Sequence, residues 1–229
     1  MSIVIRNMEF TYPGDDGYVC KVPDLTLARG KSYLLLGPSG SGKSTLLNLL
    51  AGILRPNRGE LTVAGQDLSA LSSIHMDRFR GEHIGFIFQT LNLIPWLNVR
   101  ENIALGLAFA PKRRARLSDT VNAHTEALAH RMNIDRQLMT SKAGKLSIGQ
   151  QQRVAAARAL IGAPDIVLAD EPSSALDDAN TKAFFDLLIS GLDRSRQTLL
   201  VVSHDTALAE FFDHVLSAEE IFNLDGQHV

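Results

Sequence analysis

The chain has 229 residues and carries 23 lysines and arginines against 25 aspartates and glutamates, which gives a formal net charge of −2. Apolar residues make up 45% of the sequence and charged residues 21%, which is usual for a soluble globular protein and excludes a disordered chain. At roughly 150 residues per domain, the length predicts one large domain, or one domain with a subdomain. The near-neutral charge and the lack of a long basic tract argue against a nucleic-acid partner.

No stretch of the sequence predicts a membrane-spanning helix. Such a helix needs about 20 consecutive apolar residues, and the apolar stretches here are short or, at 154–161, interrupted by Arg158. The first residues alternate apolar and polar side chains and include Arg6 and Glu9, unlike a secretion signal or an anchor. The single Cys20 cannot form an internal disulfide. If the protein works at a membrane, another chain must hold it there.

The predicted elements alternate between strands and helices at both ends of the chain and are mostly helical in between. The N-terminal part predicts strands over 3–12, 21–27 and 32–36, a helix from 42 to about 52, and short strands over 60–64 and 84–88. The middle part predicts helices over 99–109, 118–132 and 150–161, with Ser118 as the N-cap of the second. A strand over 166–169, a helix over 179–192 and a strand over 198–203 follow. This order predicts an α/β core formed by about 1–88 and 164–229, with a helical insertion over about 89–163.

A glycine-rich stretch after the strand 32–36 carries the most specific motif. It fits the pattern G-x-x-x-x-G-K-[ST] in the required strand–loop–helix context. Glycines let backbone N–H groups converge on phosphate oxygens, and the start of the next helix adds its positive dipole end. We expect the lysine to reach the β- and γ-phosphates and the serine after it to supply a ligand to Mg²⁺. The motif consists of Gly37, Pro38, Ser39, Gly40, Ser41, Gly42, Lys43, Ser44 and Thr45.

The strand 166–169 continues into two acidic residues, Asp170 and Glu171. Asp170 is placed to organise Mg²⁺, either directly or through water, and Glu171 to polarise the water that attacks the γ-phosphate. An apolar strand with a solvated acidic end is the alternative interpretation. The phosphate loop in the same chain favours the functional one.

Further motifs make the chain resemble the ATP-binding cassette of ABC transporters. The stretch Leu146-Ser147-Ile148-Gly149-Gln150-Gln151-Gln152-Arg153 resembles the signature motif of that family. Tyr12 matches the aromatic residue that stacks on adenine in that family, and Gln89 matches the glutamine that senses Mg²⁺. Ser173–Asp177 match the loop that joins two cassettes, and His204 matches the switch histidine. Ile148 and Ser173 depart from the glycine and the threonine that are usual at these positions.

The resemblance implies a fold, a chemistry and an assembly. The fold is a P-loop NTPase core, a mostly parallel sheet with flanking helices, preceded by an N-terminal antiparallel β subdomain and interrupted by the helical insertion. The cofactors are ATP and Mg²⁺, with Ser44, Gln89 and Asp170 at the metal and Lys43, Gln89, Glu171 and His204 in catalysis. Ser147, Gly149 and Gln150 would bind the γ-phosphate held by a second copy, so the family forms a head-to-tail homodimer around two ATP molecules.

Residues 80–95 and 99–103 narrow the resemblance to the branch that serves lipoprotein release, macrolide efflux and cell-division signalling. The partner in that branch is an integral membrane permease, which would hold this chain on the cytoplasmic face of the inner or plasma membrane without contact between cassette and cargo. Gln150–Gln152 depart from that branch and are similar to relatives in glycolipid or haem export, so the cargo stays open. An importer ATPase, a soluble ATP-driven clamp in DNA repair or translation, and a P-loop kinase are the alternatives.

Three surface and core features complete the expectations. The basic run 112–116 predicts a solvated surface rather than a contact with anionic lipid. The phenylalanine pairs 184–185 and 211–212 predict core positions. The apolar turn 91–97 contains Trp96, the only tryptophan, which we expect to line a groove for a short cytoplasmic helix of the permease.

Overall fold

The computed structural model of the chain describes residues 1–14 and 19–222. The strands are β1 (Ile3–Thr11), β2 (Val19–Leu27), β3 (Ser32–Leu36), β4 (Arg58–Val63), β5 (Gln66–Asp67), β6 (Ile84–Ile87), β7 (Ile166–Asp170), β8 (Thr198–Ser203) and β9 (His214–Ser217). The α-helices are α1 (Lys43–Leu50), α2 (Ser73–His83), α3 (Val99–Ala104), α4 (Pro111–Ala115), α5 (Val121–Arg131), α6 (Ile148–Leu160), α7 (Asp178–Ser190) and α8 (Ala218–Phe222).

The N-terminal strands form an antiparallel sheet in the order β2-β1-β4-β5. In β1, Ile3 and Ile5 are buried on one face, and a register shift with a left-handed residue, Asn7 (φ 46°), follows them. Because of this irregularity, Met8 and Phe10 are the buried residues in the second half of the strand. One face of the sheet therefore stays apolar along its whole length, which lets it pack on the rest of the domain.

The second sheet is parallel throughout, in the order β6-β7-β8-β3-β9. Its central strands are buried on both faces, which explains their continuous apolar sequence. Leu34 belongs to an apolar cluster with α6 and α7, whereas its neighbours Tyr33 and Leu35 belong to a cluster with α1 and the antiparallel sheet. The carboxyl ends of β3, β7 and β8 lie at one edge, where ligands of such sheets bind.

The helices α3 to α6 form the middle of the chain and fix the turn that precedes them. Asn98 caps α3 in a capping box with Glu101. Asn102 is fully buried and accepts a hydrogen bond from the backbone N–H of Ile94 at 2.8 Å. It also donates to the backbone carbonyls of Ile94, Leu97 and Asn98. Within the turn, Leu91 is buried and Trp96 is 70% exposed. The turn is therefore held from inside by an amide and leaves its tryptophan outside.

The predicted fold class is confirmed, and the main differences from the predicted elements are local. The helix expected over 99–109 ends at Ala104 and continues as a 3₁₀ turn. The helix predicted over 118–132 begins at Val121. Its N-cap is Thr120, whose Oγ1 accepts from the N–H of Ala123, so the prediction of Ser118 as the cap is wrong. The helix α2 and the strand β9 had no prediction.

The basic run 112–116 contains one residue that is not a solvated surface residue. Arg113 is 1% exposed, and its guanidinium donates hydrogen bonds to the backbone carbonyls of Gly81 and Ile161. The buried carboxylate of Glu82 accepts from the N–H groups of Lys112 and Arg113 at the start of α4. The prediction for this position is wrong because its polar partners come from distant segments.

The first phenylalanine pair lies in the core as predicted, and the second lies there only in part. Phe184 and Phe185 are buried, and Phe211 and Phe212 are half-buried against the same cluster. Among residues 1–14 and 19–222, no helix has the length and apolar character needed to cross a bilayer.

Candidate functional site

A cleft of about 580 Å³ lies at the edge of the parallel sheet where β3, β7 and β8 end. It collects most of the residues that the sequence assigns to nucleotide and Mg²⁺. The lining consists of Tyr12, Ser39, Gly40, Gly42, Lys43, Ser44, Thr45, Gln89, Asp170, Glu171, Ser174 and His204. Segments separated by up to almost the length of the chain thus meet in one place.

The loop between β3 and α1 has the conformation that the glycine motif predicts. Gly40 (φ +81°) and Gly42 (φ +96°) are left-handed, and Gly42 is the N-cap of α1 without a side-chain cap, so the first N–H groups of the helix stay available. A Cβ on Gly37 would lie 2.5 Å from that of Ala218, so only glycine lets α8 approach here. The Oγ of Ser41 is buried without a hydrogen-bond partner in the described structure. A phosphate would satisfy these donors.

Lys43 is held under this loop and points its charge at the loop carbonyls. Its side chain is 5% exposed, and Nζ donates to the carbonyl oxygens of Gly37 and Pro38 at 2.7 and 2.8 Å. Burial lowers the pKa of Lys43, an effect that the carboxylates of Glu171 and Asp170 oppose. A buried ammonium with only neutral partners in direct contact is suited to a bound anion.

Ser44 and Asp170 face each other across the cleft. Ser44 Oγ donates to Asp170 Oδ1 at 3.1 Å. Burial raises the pKa of Asp170; the hydrogen bond from Ser44 and the charge of Lys43 oppose this, while the neighbouring charge of Glu171 adds to it. A bound cation would stabilise the charged form of Asp170, which burial and the neighbouring carboxylate of Glu171 disfavour. Hydroxyl and carboxylate oxygens are ligands that Mg²⁺ takes together with phosphate oxygens, so the residues fit this ion.

Glu171 is held by its backbone and by both carboxylate oxygens. Its N–H donates to the carbonyl of Val202 at 3.1 Å, Oε2 accepts from Ser203 Oγ at 3.1 Å, and Oε1 lies 2.9 Å from His204 Nδ1. The backbone has φ 43°, a left-handed conformation that costs a non-glycine residue about 1–3 kcal/mol. The side chain is 15% exposed, and that of His204 is 62% exposed. The contacts with Ser203 and His204 hold this carboxylate beside an accessible histidine.

Tyr12 and Gln89 stand at the rim of the cleft. The Tyr12 hydroxyl shares a hydrogen bond with Thr45 Oγ1 at 3.1 Å, and its ring packs edge-on against Phe10 with centroids 4.8 Å apart. Gln89 follows β6 and is exposed. Both residues lie on the cleft wall. Their roles toward adenine and Mg²⁺ stay predictions.

The signature residues Ser147, Gly149 and Gln150 do not line the cleft. Ser147 caps α6 in a capping box with Gln150: its Oγ accepts from the N–H of Gln150, and its own N–H donates to Oε1 of Gln150 at 2.9 Å. Ser147 is exposed, and Ile148 after it is 54% exposed. The start of α6 therefore presents polar groups to the outside of the molecule, away from the phosphate loop.

Two residues near the site had no role assigned from the sequence. Ser203 orients Glu171, and its only sequence signal is its place before His204 at the end of β8. Gln152 is 2% exposed and donates from Nε2 to the carbonyl of Pro172 at 3.0 Å. It ties α6 to the segment that follows Glu171.

The sequence of the chain is similar to a known protein family and to curated relatives. The sequence profile of the family described as ABC transporter matches residues 20–174. A lipoprotein-releasing system ATP-binding protein LolD from Anaeromyxobacter dehalogenans is 42% identical over 206 residues, which is 90% of this chain and 84% of the relative. The macrolide export ATP-binding/permease protein MacB 1 from Aeromonas hydrophila is 40% identical over 202 residues, 88% of this chain. The match spans 30% of the length of that relative.

Solved structures of an ATP-binding cassette are also similar to this chain. A dimeric, post-hydrolysis form of the ATP-binding cassette MJ0796 bound to ADP and Pi is 31% identical, with a TM-score of 0.81. The match covers 94% of this chain and 93% of that chain. A second dimeric structure of the same cassette gives a TM-score of 0.80 at 32% identity.

Proposed function

Because the chain belongs to the ABC transporter family, within which its relatives include the lipoprotein-release and macrolide-efflux ATPases, we propose that it binds and hydrolyses ATP to drive a membrane permease. The observation that carries this proposal is the convergence of Lys43, Ser44, Asp170 and the Glu171–His204 pair on one cleft. A structural role alone would not need a buried ammonium, a strained acid and a free helix N-terminus at the same edge of the sheet.

Each group has a defined task in the proposed reaction. Lys43 and the N–H groups of the loop bind the β- and γ-phosphates. Ser44 and Asp170 would hold Mg²⁺, which supplies charge neutralisation at the phosphate oxygens. Glu171 accepts a proton from the attacking water while Ser203 keeps its carboxylate in place. His204 contacts Glu171 through Nδ1, which leaves its other ring nitrogen for the γ-phosphate.

The proposal includes a second copy of the chain. Within one molecule, Ser147 and Gly149 lie outside the cleft, although polar groups at a helix N-terminus suit a phosphate. In a head-to-tail dimer, the start of α6 of one copy would close the cleft of the other around ATP. The two dimeric structures of a similar cassette support the pairing of two copies.

The permease is proposed to dock on a groove of about 970 Å³ between α2 and residues 109–112. Phe109 on its wall is 80% exposed, and nearby Ile74 on α2 is 69% exposed. Trp96 is also exposed but does not line this groove, so we assign the permease contact to Phe109. The permease contact expected at Trp96 stays a prediction. A permease segment would hold the chain on the cytoplasmic face of the membrane. Cargo would stay with the permease, and lipid, lipoprotein, peptide, macrolide or haem-like molecules all remain compatible.

The test of the shared site compares Ser147→Arg with Lys43→Ala. Lys43→Ala removes the phosphate contact and is expected to lose ATP binding in a nucleotide titration. Ser147→Arg fills the space at the start of α6, so it is expected to bind ATP like the unmodified chain, yet to lose hydrolysis and ATP-dependent dimers on size-exclusion chromatography.

Ser72→Arg is the matched control, because Ser72 is the exposed N-cap of α2 and does not line the cleft. It should lose a cap of similar strength and keep hydrolysis. If Ser147→Arg hydrolyses ATP as well as Ser72→Arg does, the two-copy site is wrong. If the Lys43→Ala variant still binds ATP like the unmodified chain, the nucleotide site itself is wrong.

A further inference from the structure

A second cleft, of about 280 Å³, lies between the helices of the middle segment and the core sheet. Its wall combines α4 and the turn after it, one face of α5, the C-terminal end of α6 and the turn between α7 and β8. It shares no lining residue with the candidate nucleotide site. Nothing in the proposed ATPase cycle uses this cleft.

The cleft has an excess of positive charge. Four arginines line it, and Asp193 is the one carboxylate among its lining residues. The Asp193 carboxylate is exposed and accepts hydrogen bonds from the N–H and hydroxyl of Ser195. Arg196 pairs with Asp165 at 3.2 Å behind the wall. The arginines are Arg113, Arg116, Arg131 and Arg196.

Three lining residues carry buried N–H donors that lack an acceptor in the described structure: the Nε atoms of Arg113 and Arg196 and the Nε2 of Gln197. The orientation of Gln197 is fixed, because its Oε1 accepts from the N–H of Asp193 at 2.8 Å. The free end of this amide, 2% exposed, is therefore a donor. Each buried donor without a partner costs about 1–3 kcal/mol.

Arg116 adds an unpaired charge. Its side chain is exposed and makes no hydrogen bond or ion pair within the described residues. Burial lowers the pKa of Arg113 to about 10. The charges of Glu82 and Asp165 oppose this shift, and the like charge of Arg116 adds to it. Two guanidinium groups of like charge therefore lie near each other at the wall of a cleft that also has three buried donors without an acceptor. A bound anion would relieve the repulsion and satisfy donors at the same time.

We propose that this cleft binds a small oxyanion of the phosphate class. Guanidinium groups bind tetrahedral oxyanions through paired N–H donors, and donors that converge from several segments suit such an ion better than a planar carboxylate. The volume of the cleft, about 280 Å³, is about half that of the candidate nucleotide site, so a mono- or diphosphate suits it better than a nucleotide. The anion would link α5, which carries Arg131, to the turn before β8, which carries Gln197, and so stiffen the contact between the helical segment and the core.

Isothermal titration of the full chain with inorganic pyrophosphate, at fixed ionic strength, tests the proposal. Lys43→Ala is introduced as a background so that the phosphate loop does not dominate the signal. We expect one saturable binding event, which Arg116→Gln weakens about tenfold or more because a charged hydrogen bond is lost. Arg116→Gln is expected to fold normally, since the Arg116 side chain is exposed and makes no hydrogen bond or ion pair within the described residues.

Arg114→Gln is the matched control. Arg114 lies on α4, two residues before Arg116. It is exposed and does not line the cleft, so its replacement changes the net charge equally. We expect its affinity for pyrophosphate to be unchanged. Absence of saturable binding, or equal weakening by Arg116→Gln and Arg114→Gln, would overturn the proposal, because the latter indicates attraction to the general surface charge.

A second variant tests the buried donor. Gln197→Glu keeps an oxygen for the N–H of Asp193 and replaces the unpaired amide nitrogen by a negatively charged oxygen. We expect it to abolish pyrophosphate binding while the far-ultraviolet circular dichroism stays unchanged. Undiminished binding in a folded Gln197→Glu chain would contradict the proposed site. If this variant does not fold, the comparison between Arg116→Gln and Arg114→Gln decides.

Discussion

Replacing Glu171 by glutamine should separate the chemistry of the site from its structure. In the unmodified chain, Oε2 of Glu171 accepts from Ser203, and Oε1 contacts His204 Nδ1 at 2.9 Å. Glutamine can keep both contacts: its oxygen accepts from the serine hydroxyl, and its amide nitrogen donates to Nδ1 of a neutral histidine. The free energy of unfolding is therefore expected to change by less than about 1 kcal/mol.

The catalytic effect should be much larger, because an amide cannot accept the proton of the attacking water. Loss of a general base costs about 10²–10⁴ in rate, or about 3–5 kcal/mol of activation free energy. The expected result for Glu171→Gln is thus a folded chain that binds ATP and Mg²⁺ normally, turns over at least about a hundredfold more slowly, and accumulates as an ATP-bound dimer.

The assay combines steady-state phosphate release with size-exclusion chromatography in ATP and Mg²⁺. Glu210→Gln is the control, because Glu210 is exposed, lies outside the cleft, and loses the same charge. If Glu171→Gln hydrolyses ATP at the rate of Glu210→Gln, Glu171 is not the general base. A chain that loses its fold instead would contradict the hydrogen-bond argument.

Three further outcomes follow from the structure. Burial raises the pKa of Asp165, but hydrogen bonds and charges from His83 and Arg196 outweigh this effect and hold the pKa at about 2. Asp165→Asn should therefore lower the free energy of unfolding by about 2 kcal/mol at pH 7. This difference should shrink as the pH falls from about 4 toward 2, where the native carboxylate also becomes protonated; a constant difference in urea unfolding would contradict it. Gly59→Ala places a Cβ 2.2 Å from the carbonyl oxygen of Asn7, whereas Gly65 is also left-handed but has open space around it. In thermal unfolding, Gly59→Ala should therefore lower the free energy of unfolding by about 1–3 kcal/mol more than Gly65→Ala does. Equal losses would refute the clash. Phe109→Ser should reduce permease-stimulated ATPase and leave the basal rate intact, whereas Trp96→Ser, outside the groove, should reduce it less; the reverse order would move the docking site to Trp96.

Sequence patterns predict the central strands well because their environment is uniform. The strands 32–36 and 198–203 are found at their predicted bounds, since both faces are buried and every position must be apolar. The sequence pattern does not predict the helix α2, because only Met76, Phe79 and Glu82 are buried along it and one of these is charged. The sequence pattern does not predict the strand β9 either, because it is short, lies at the sheet edge, and is exposed at His214 and Val215.

The candidate site divides in the same way. Residues within a local motif, such as Lys43 and Ser44, could be assigned from spacing, because the strand–loop–helix unit determines their geometry. Contacts between distant segments could not. Gln152 meets the carbonyl of Pro172 across 20 residues, and the buried position of Arg113 depends on carbonyls from two other segments. The division of the chain at about 89 and 163 stays a prediction.

The position of the Ser147 cap outside the cleft has a consequence for how the protein responds to its own abundance. If a complete site needs the α6 terminus of another molecule, then each chain by itself is idle, and turnover per chain follows the fraction that is paired. In dilute solution the total rate would rise with the square of the protein concentration. For two cassettes attached to one permease, the turnover per chain would not depend on the bulk protein concentration, because tethering fixes their local concentration. Free chains would then waste little ATP, and hydrolysis would be confined to assembled transporters.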